Sequence, residues 1–174
     1  ESVGKSIAAH ESDPFKRVKL LHDWVVTRYT YDTEALRTLQ IPPQDAATVF
    51  AKRVAVCEGY ARTLVARGKA SGDELVYLVG DVREEDGAAA PIGHAWNAAH
   101  VNGAWYLIDA TWDDPVMKDG SATYRTDYLF IPPSLAVFET LSLLCYAVSV
   151  WLLWRECEAL RAHRLLVAVL AAAS

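Results

Sequence analysis

The chain has 174 residues, 52% of them apolar, enough for one sizeable hydrophobic core and consistent with a single domain. Its formal net charge is -5 and its Lys and Arg residues are scattered rather than clustered, so nucleic acid is not an expected partner. The cysteines, Cys57, Cys145 and Cys157, are too few for a disulfide framework and lack the paired spacing of a zinc site; no metal or cofactor is expected.

Residues 1–12 are polar and unpatterned and read as a leader; the chain opens at Glu1 rather than Met, so targeting is not legible at this end. Asp13 is a cap, Pro14 suits a first helical position, and Phe15, Val18, Leu21, Val25 and Tyr29 recur every three or four residues, which predicts an amphipathic helix up to Thr30. Tyr31 and Asp32 end it. The stretch to Pro43 reads as a connecting loop, because Pro42 and Pro43 fix extended backbone. Ala46, Val49 and Phe50 then predict a short helix over Gln44 to Lys52.

Cys57 sits at the first turn of the next predicted helix, whose inner stripe is Tyr60, Ala61, Leu64 and Val65 and whose end falls near Gly68 or Gly72. Unpaired N–H groups and the positive end of the macrodipole favour thiolate at such a place and offer donors to an oxyanion. A lone cysteine is more often a small buried hydrophobe, so the assignment depends on partners. Glu74 to Val82 reads as a strand apolar on both faces, and Arg83 to Pro91 as an exposed loop.

Ile92 to Trp112 holds two strand-like runs separated by Asn102-Gly103, the preferred pair for a two-residue type I′ turn. That turn sets Val101 opposite Ala104 and Trp96 opposite Asp109. The two-residue period then puts His94, Trp96 and His100 on one face with Trp105 and Asp109. His94 and Asp109 become diagonal neighbours with backbones about 7 to 8 Å apart, a gap that their side chains close with a hydrogen bond. A carboxylate on one ring nitrogen leaves the other free to act on a thiol. One residue of slip would send Asp109 to the opposite face.

Cys57, His94 and Asp109 therefore constitute a candidate thiol acyl-transfer site, with the Cys57 N–H as first oxyanion donor and the second donor not identified. His94, His100 and Asp109 on one face admit a metal geometrically, without a supporting outer shell, and none is expected. Trp105 reads as core, and Trp96 as core or cleft floor. His10, His22 and His163 read as surface or helix-face residues.

The segments KLLHDWVVTRYTYD, VAVCEGYAR and GHAWNAAHVNGAWYLIDATWDDP, spread over Arg17 to about Pro133, resemble the transglutaminase-like superfamily, in its bacterial cysteine-peptidase-like branch related to kyphoscoliosis peptidase and cytokinesis proteins. The resemblance implies an α+β, papain-like fold with a cysteine-bearing helix packed on an antiparallel sheet. It implies Cys57 as nucleophile, His94 as base and Asp109 as acid, and a hydrolase or acyltransferase acting on peptide or protein amides. The family commonly has Gly-Val-Cys where this chain has Ala55-Val56-Cys57. The calcium dependence of animal transglutaminases is not expected, since Asp113-Asp114 is too little for a calcium loop. A catalytically silent binding module on the same fold is the rival reading.

The expected organisation is a leader over 1–12, a catalytic domain over 13–133 and an apolar helical tail over 134–174. Tyr124 to Pro133 reads as a last strand. Leu135 to Trp154 is about twenty largely apolar residues, long enough to span a bilayer. Arg155, Arg161 and Arg164 behind it would hold the catalytic domain outside the cytoplasm. A helix packed on the domain or on a partner, and a C-terminus unrelated to the family, are the alternatives.

Overall fold

A computed structural model of the chain describes residues 2–82, 93–114 and 124–135. The stretch read as a leader forms a first helix, α1 (Ser2–His10). Gly4 is the reason it docks: it is buried against the cysteine-bearing helix, and a Cβ there would stand 2.5 Å from the Arg67 carbonyl oxygen. One small residue at a helix crossing leaves no periodic trace in a sequence.

Asp13 caps α2 (Pro14–Val26), its side chain accepting the Lys16 N–H at 3.0 Å, and the predicted stripe buries Val18, Leu21 and Val25. The helix stops at Val26 rather than Thr30 because the chain turns to form β1 (Thr30–Tyr31). Asp32, expected to end a helix, instead starts one: it caps α3 (Thr33–Thr38) by accepting the Ala35 N–H at 2.9 Å, where a connecting loop was expected. Asp45 caps α4 (Ala46–Lys52) close to the expected bounds. Next come β2 (Val54–Ala55), which pairs with β1 in parallel, and α5 (Cys57–Ser71), which ends at Gly72 with φ 84°.

The main sheet is antiparallel, with strands β3 (Glu74–Gly80), β4 (His94–Val101), β5 (Ala104–Ile108) and β6 (Leu129–Ile131) in that order. Asn102 and Gly103 have φ of 50° and 83°, the two left-handed positions of a type I′ turn, and Val101 pairs with Ala104 as expected. The register runs on through His100–Trp105 to Asn97–Ile108. β3 and β6 are shorter than their expected runs, and Val79 is 45% exposed, so β3 is not covered on both faces throughout.

Leu21 and Val25 of α2 and Tyr60 and Leu64 of α5 meet Ala99, Val101 and Ile108 of the sheet in one core. Burial of each large side chain contributes about 2 kcal/mol. Asn97 fixes the helix on the sheet, its amide donating to the carbonyls of Ala61 and Val76, both at 3.1 Å. The predicted loop over Arg83 to Pro91 lies outside the described residues. So does the tail, with Cys145, Cys157 and His163, apart from a short 3₁₀ turn at Pro133–Leu135.

Candidate active site

The passage from β2 into α5 is abrupt. Val56 is extended, with φ -91° and ψ 179°, and Cys57 is already helical, half-buried at the first position. The N–H groups of Gly59 and Tyr60 bond the Val56 carbonyl at 2.9 and 3.3 Å, which leaves those of Cys57 and Glu58 outside the helix ladder. Residue 59 has no room for a side chain: a Cβ would lie 2.5 Å from Gln44 Oε1 and 2.6 Å from the Ala55 Cβ. Gln44 is itself a fixture, buried, with Oε1 accepting the Val56 N–H at 3.1 Å.

His94 opens β4 and Asp109 follows β5, and the two meet on one face as the hairpin register predicts. His94 Nε2 lies 2.6 Å from Asp109 Oδ2, with the residues 8% and 1% exposed. Asp109 is aimed by the backbone around it: Oδ1 accepts the N–H groups of Thr111 and Trp112 at 2.9 and 3.1 Å, and its own N–H donates to the Tyr128 carbonyl at 2.9 Å. Trp112 stacks on the imidazole, ring centroids 4.8 Å apart and planes 12° apart. Burial alone would push the His94 pKa down. Hydrogen bonds to Asp109 and Cys57, with the charges of those groups, overcome burial and lift it to about 9. With Nε2 on the carboxylate, Nδ1 is the nitrogen left to Cys57.

Sequence reasoning missed Tyr31. The pairing of Tyr31 with Ala55 in the small parallel sheet carries the phenol to Cys57, where it hydrogen-bonds the backbone N–H and the thiol. Burial, then the charge of Cys57, raises the Tyr31 pKa to about 12, so the hydroxyl stays neutral, donor and acceptor together. A two-residue parallel ladder formed across more than twenty residues has no local signal; the clue available was the aromatic residue directly after the predicted helix.

Asp113 and Asp114 are clips between elements. Asp114 accepts the Tyr60 hydroxyl at 2.8 Å and the Tyr31 N–H. Asp113 accepts the Tyr128 N–H at 3.0 Å and faces His22 Nε2 at 3.1 Å. His22, expected at a surface or helix face, is fully buried, and its Nδ1 lies 3.1 Å from Asp23. Burial works against the His22 imidazolium, but the two carboxylates outweigh it and raise the pKa. His100 belongs elsewhere: it bonds Glu74 Oε2 at 2.9 Å and stacks on Trp105, which is half-buried rather than in the core.

Residues 1–110 match the family model of the transglutaminase-like superfamily. The chain belongs to that superfamily. It is 23% identical over 146 residues to the kyphoscoliosis peptidase of Mus musculus, covering 79% of this chain and 22% of that protein. To the Homo sapiens kyphoscoliosis peptidase it is 21% identical over 131 residues, covering 70% and 20%. The chain thus spans about a fifth of the length of these curated relatives. Among solved structures, a candidate cysteine protease from Cytophaga hutchinsonii superposes with a TM-score of 0.53 at 21% identity, covering 66% of this chain and 37% of that one.

The transglutaminase-like fold is the α+β, papain-like arrangement expected from the motifs, with α5 packed on an antiparallel sheet. The superfamily match begins at residue 1 rather than near Arg17, so it takes in α1. Ala55, where the superfamily commonly has glycine, is not among the positive-φ residues, and alanine fits that extended backbone without strain.

Proposed function

We propose that this transglutaminase-like chain is a thiol-dependent hydrolase or acyltransferase of peptide and protein amides, working through Cys57, His94 and Asp109. The observation that carries the reading is the buried 2.6 Å contact of His94 Nε2 with Asp109, on an imidazole whose other nitrogen serves a cysteine at a helix N-terminus.

The chemistry follows from those positions. The Cys57 thiol gives its proton to His94 Nδ1, and the sulfur attacks the amide carbonyl carbon. The developing oxyanion takes the Cys57 N–H from the Tyr31 oxygen, and the Tyr31 hydroxyl turns its proton onto the oxyanion as second donor. When the C–N bond breaks, imidazolium protonates the departing amine and a thioester remains. Water or an amine, deprotonated by His94, then attacks the thioester and the thiol leaves. Asp109 holds the imidazole in its tautomer and stabilises its charge throughout.

The test pairs a cysteine-directed probe with peptide substrates. Rapid alkylation mapped to Cys57 near neutral pH, lost in His94→Ala, is expected, together with peptide cleavage or amine incorporation lost in Cys57→Ala. Slow labelling that His94→Ala leaves unchanged, with no turnover of any peptide, would make the chain a silent binding module. Tyr31→Phe should lower kcat about a hundredfold to a thousandfold, the scale of one oxyanion donor, with little change in KM.

A further inference from the structure

The end of α2, the end of α4 and the middle of α5 bring three guanidinium groups around one aromatic shelf. Trp24 and Phe50 lie with ring centroids 5.8 Å apart and planes 11° apart. The carbon of the Arg67 guanidinium is 3.4 Å from the Trp24 centroid, that of Arg53 is 4.2 Å from Phe50 and 4.6 Å from Trp24, and that of Arg28 is 5.2 Å from Trp24. Arg67 is the floor, 4% exposed, whereas Arg28 is exposed and Phe50 is 41% exposed, so the cluster opens to solvent.

Stacking satisfies the face of a guanidinium and leaves its in-plane N–H donors to find acceptors. Here two of the buried donors find none on the protein. Arg67 Nε and Arg53 Nη1 are buried without a hydrogen-bond partner, and Tyr29 Oη beside them is in the same position. Arg28 donates to Thr27 Oγ1 at 3.1 Å. Among the described residues no carboxylate pairs with any of the three. Burial, reinforced by the charges of Arg53 and Arg28, depresses the Arg67 pKa against the pull of Tyr29. Buried like charges with open donors destabilise a fold unless an anion completes them. Arg53 adds a local cost: its φ of 61° is left-handed, a conformation that the Cβ of an L-residue disfavours.

We propose that Arg28, Arg53 and Arg67, on the Trp24–Phe50 shelf, form a binding site for a phosphate-class oxyanion, separate from the Cys57 site. Three positive charges without a counter-charge match a dianion better than a single carboxylate, and guanidinium edges suit its several oxygens. The exposed ring of Phe50 gives an organic phosphate additional contact, so phenyl phosphate separates that source from the free ion.

Thermal unfolding of the full chain, titrated with inorganic phosphate against chloride at matched ionic strength, tests the site. A saturable rise of a few degrees is expected, reproduced by phenyl phosphate at lower concentration if the natural source is an organic phosphate and at no lower concentration if it is the free ion. Arg53→Gln and the exposed-rim variant Arg28→Gln should each weaken the apparent affinity at least tenfold while folding normally. Phosphate also stabilises proteins in general by exclusion from their surfaces. An unsaturating rise equal in wild type and both variants would therefore overturn the proposal, as would an equal response to acetate.

Discussion

In the proposed mechanism His94 moves every proton, and its protonation has consequences that can be measured. Its folded pKa of about 9 stands above the unfolded value near 6.5, so the native state binds the proton more tightly. The stability this supplies is complete below about pH 6.5 and disappears as pH rises through 9; the melting temperature should fall across that window. In the proposed reaction imidazolium protonates the departing amine, so the rate of acylation should fall over the same alkaline limb. Asp109→Asn keeps the shape but removes the charge that raises the His94 pKa and holds the ring proton on Nε2, leaving Nδ1 free. A loss of kcat of roughly a hundredfold to ten-thousandfold is expected, with the His94 titration, followed by NMR, moving down from 9.

At the level of elements, the cysteine is delivered by a tight junction between β2 and α5. Gln44, Val49 and Ala55 close on the first turn of α5, and Gly59 is where they close: Val49 Cγ2 would be 2.9 Å from an added Cβ. Of those contacts, the Ala55 Cβ has no flexible bond through which to retreat. Gly59→Ala should cost about 1–3 kcal/mol in denaturant unfolding and slow Cys57 alkylation, because relief of the clash moves the N-terminus of α5 itself. Gly68 is similarly hemmed in, with Leu75 Cδ1 2.5 Å from a Cβ, but a side-chain methyl can move; its substitution should leave labelling at Cys57 intact.

Across the molecule, the segment from Asp109 to Asp114 ties separate parts together. Asp109 serves the imidazole, Asp113 reaches His22 on α2, and Asp114 reaches Tyr60 on α5 and Tyr31 on β1. His22→Ala strands the fully buried Asp113 carboxylate and should destabilise the fold by about 3–5 kcal/mol in denaturant titration, whereas replacing both His22 and Asp113 by apolar residues should recover part of that loss. Because the His22 pKa is also raised, its contribution has the same sign as that of His94, present at low pH and lost as pH rises.

Local rules in the sequence determined α2 with its Asp13 cap, the short α4, the turn at Asn102-Gly103 and, through the period of two, the meeting of His94 with Asp109. These depend on neighbours a few residues away, where capping, turn geometry and strand alternation act. The motifs around Cys57, His94 and Asp109 determined the superfamily as well. Tertiary structure decided what depends on contacts between distant parts of the chain. α1 is held by one glycine at a crossing, Tyr31 reaches Cys57 through a parallel pair of two-residue strands, and His22 is buried on a carboxylate 91 residues further along the chain. A sequence shows that a side chain is able to carry charge or donate a hydrogen bond; which partner it receives is fixed only when packing brings the two together.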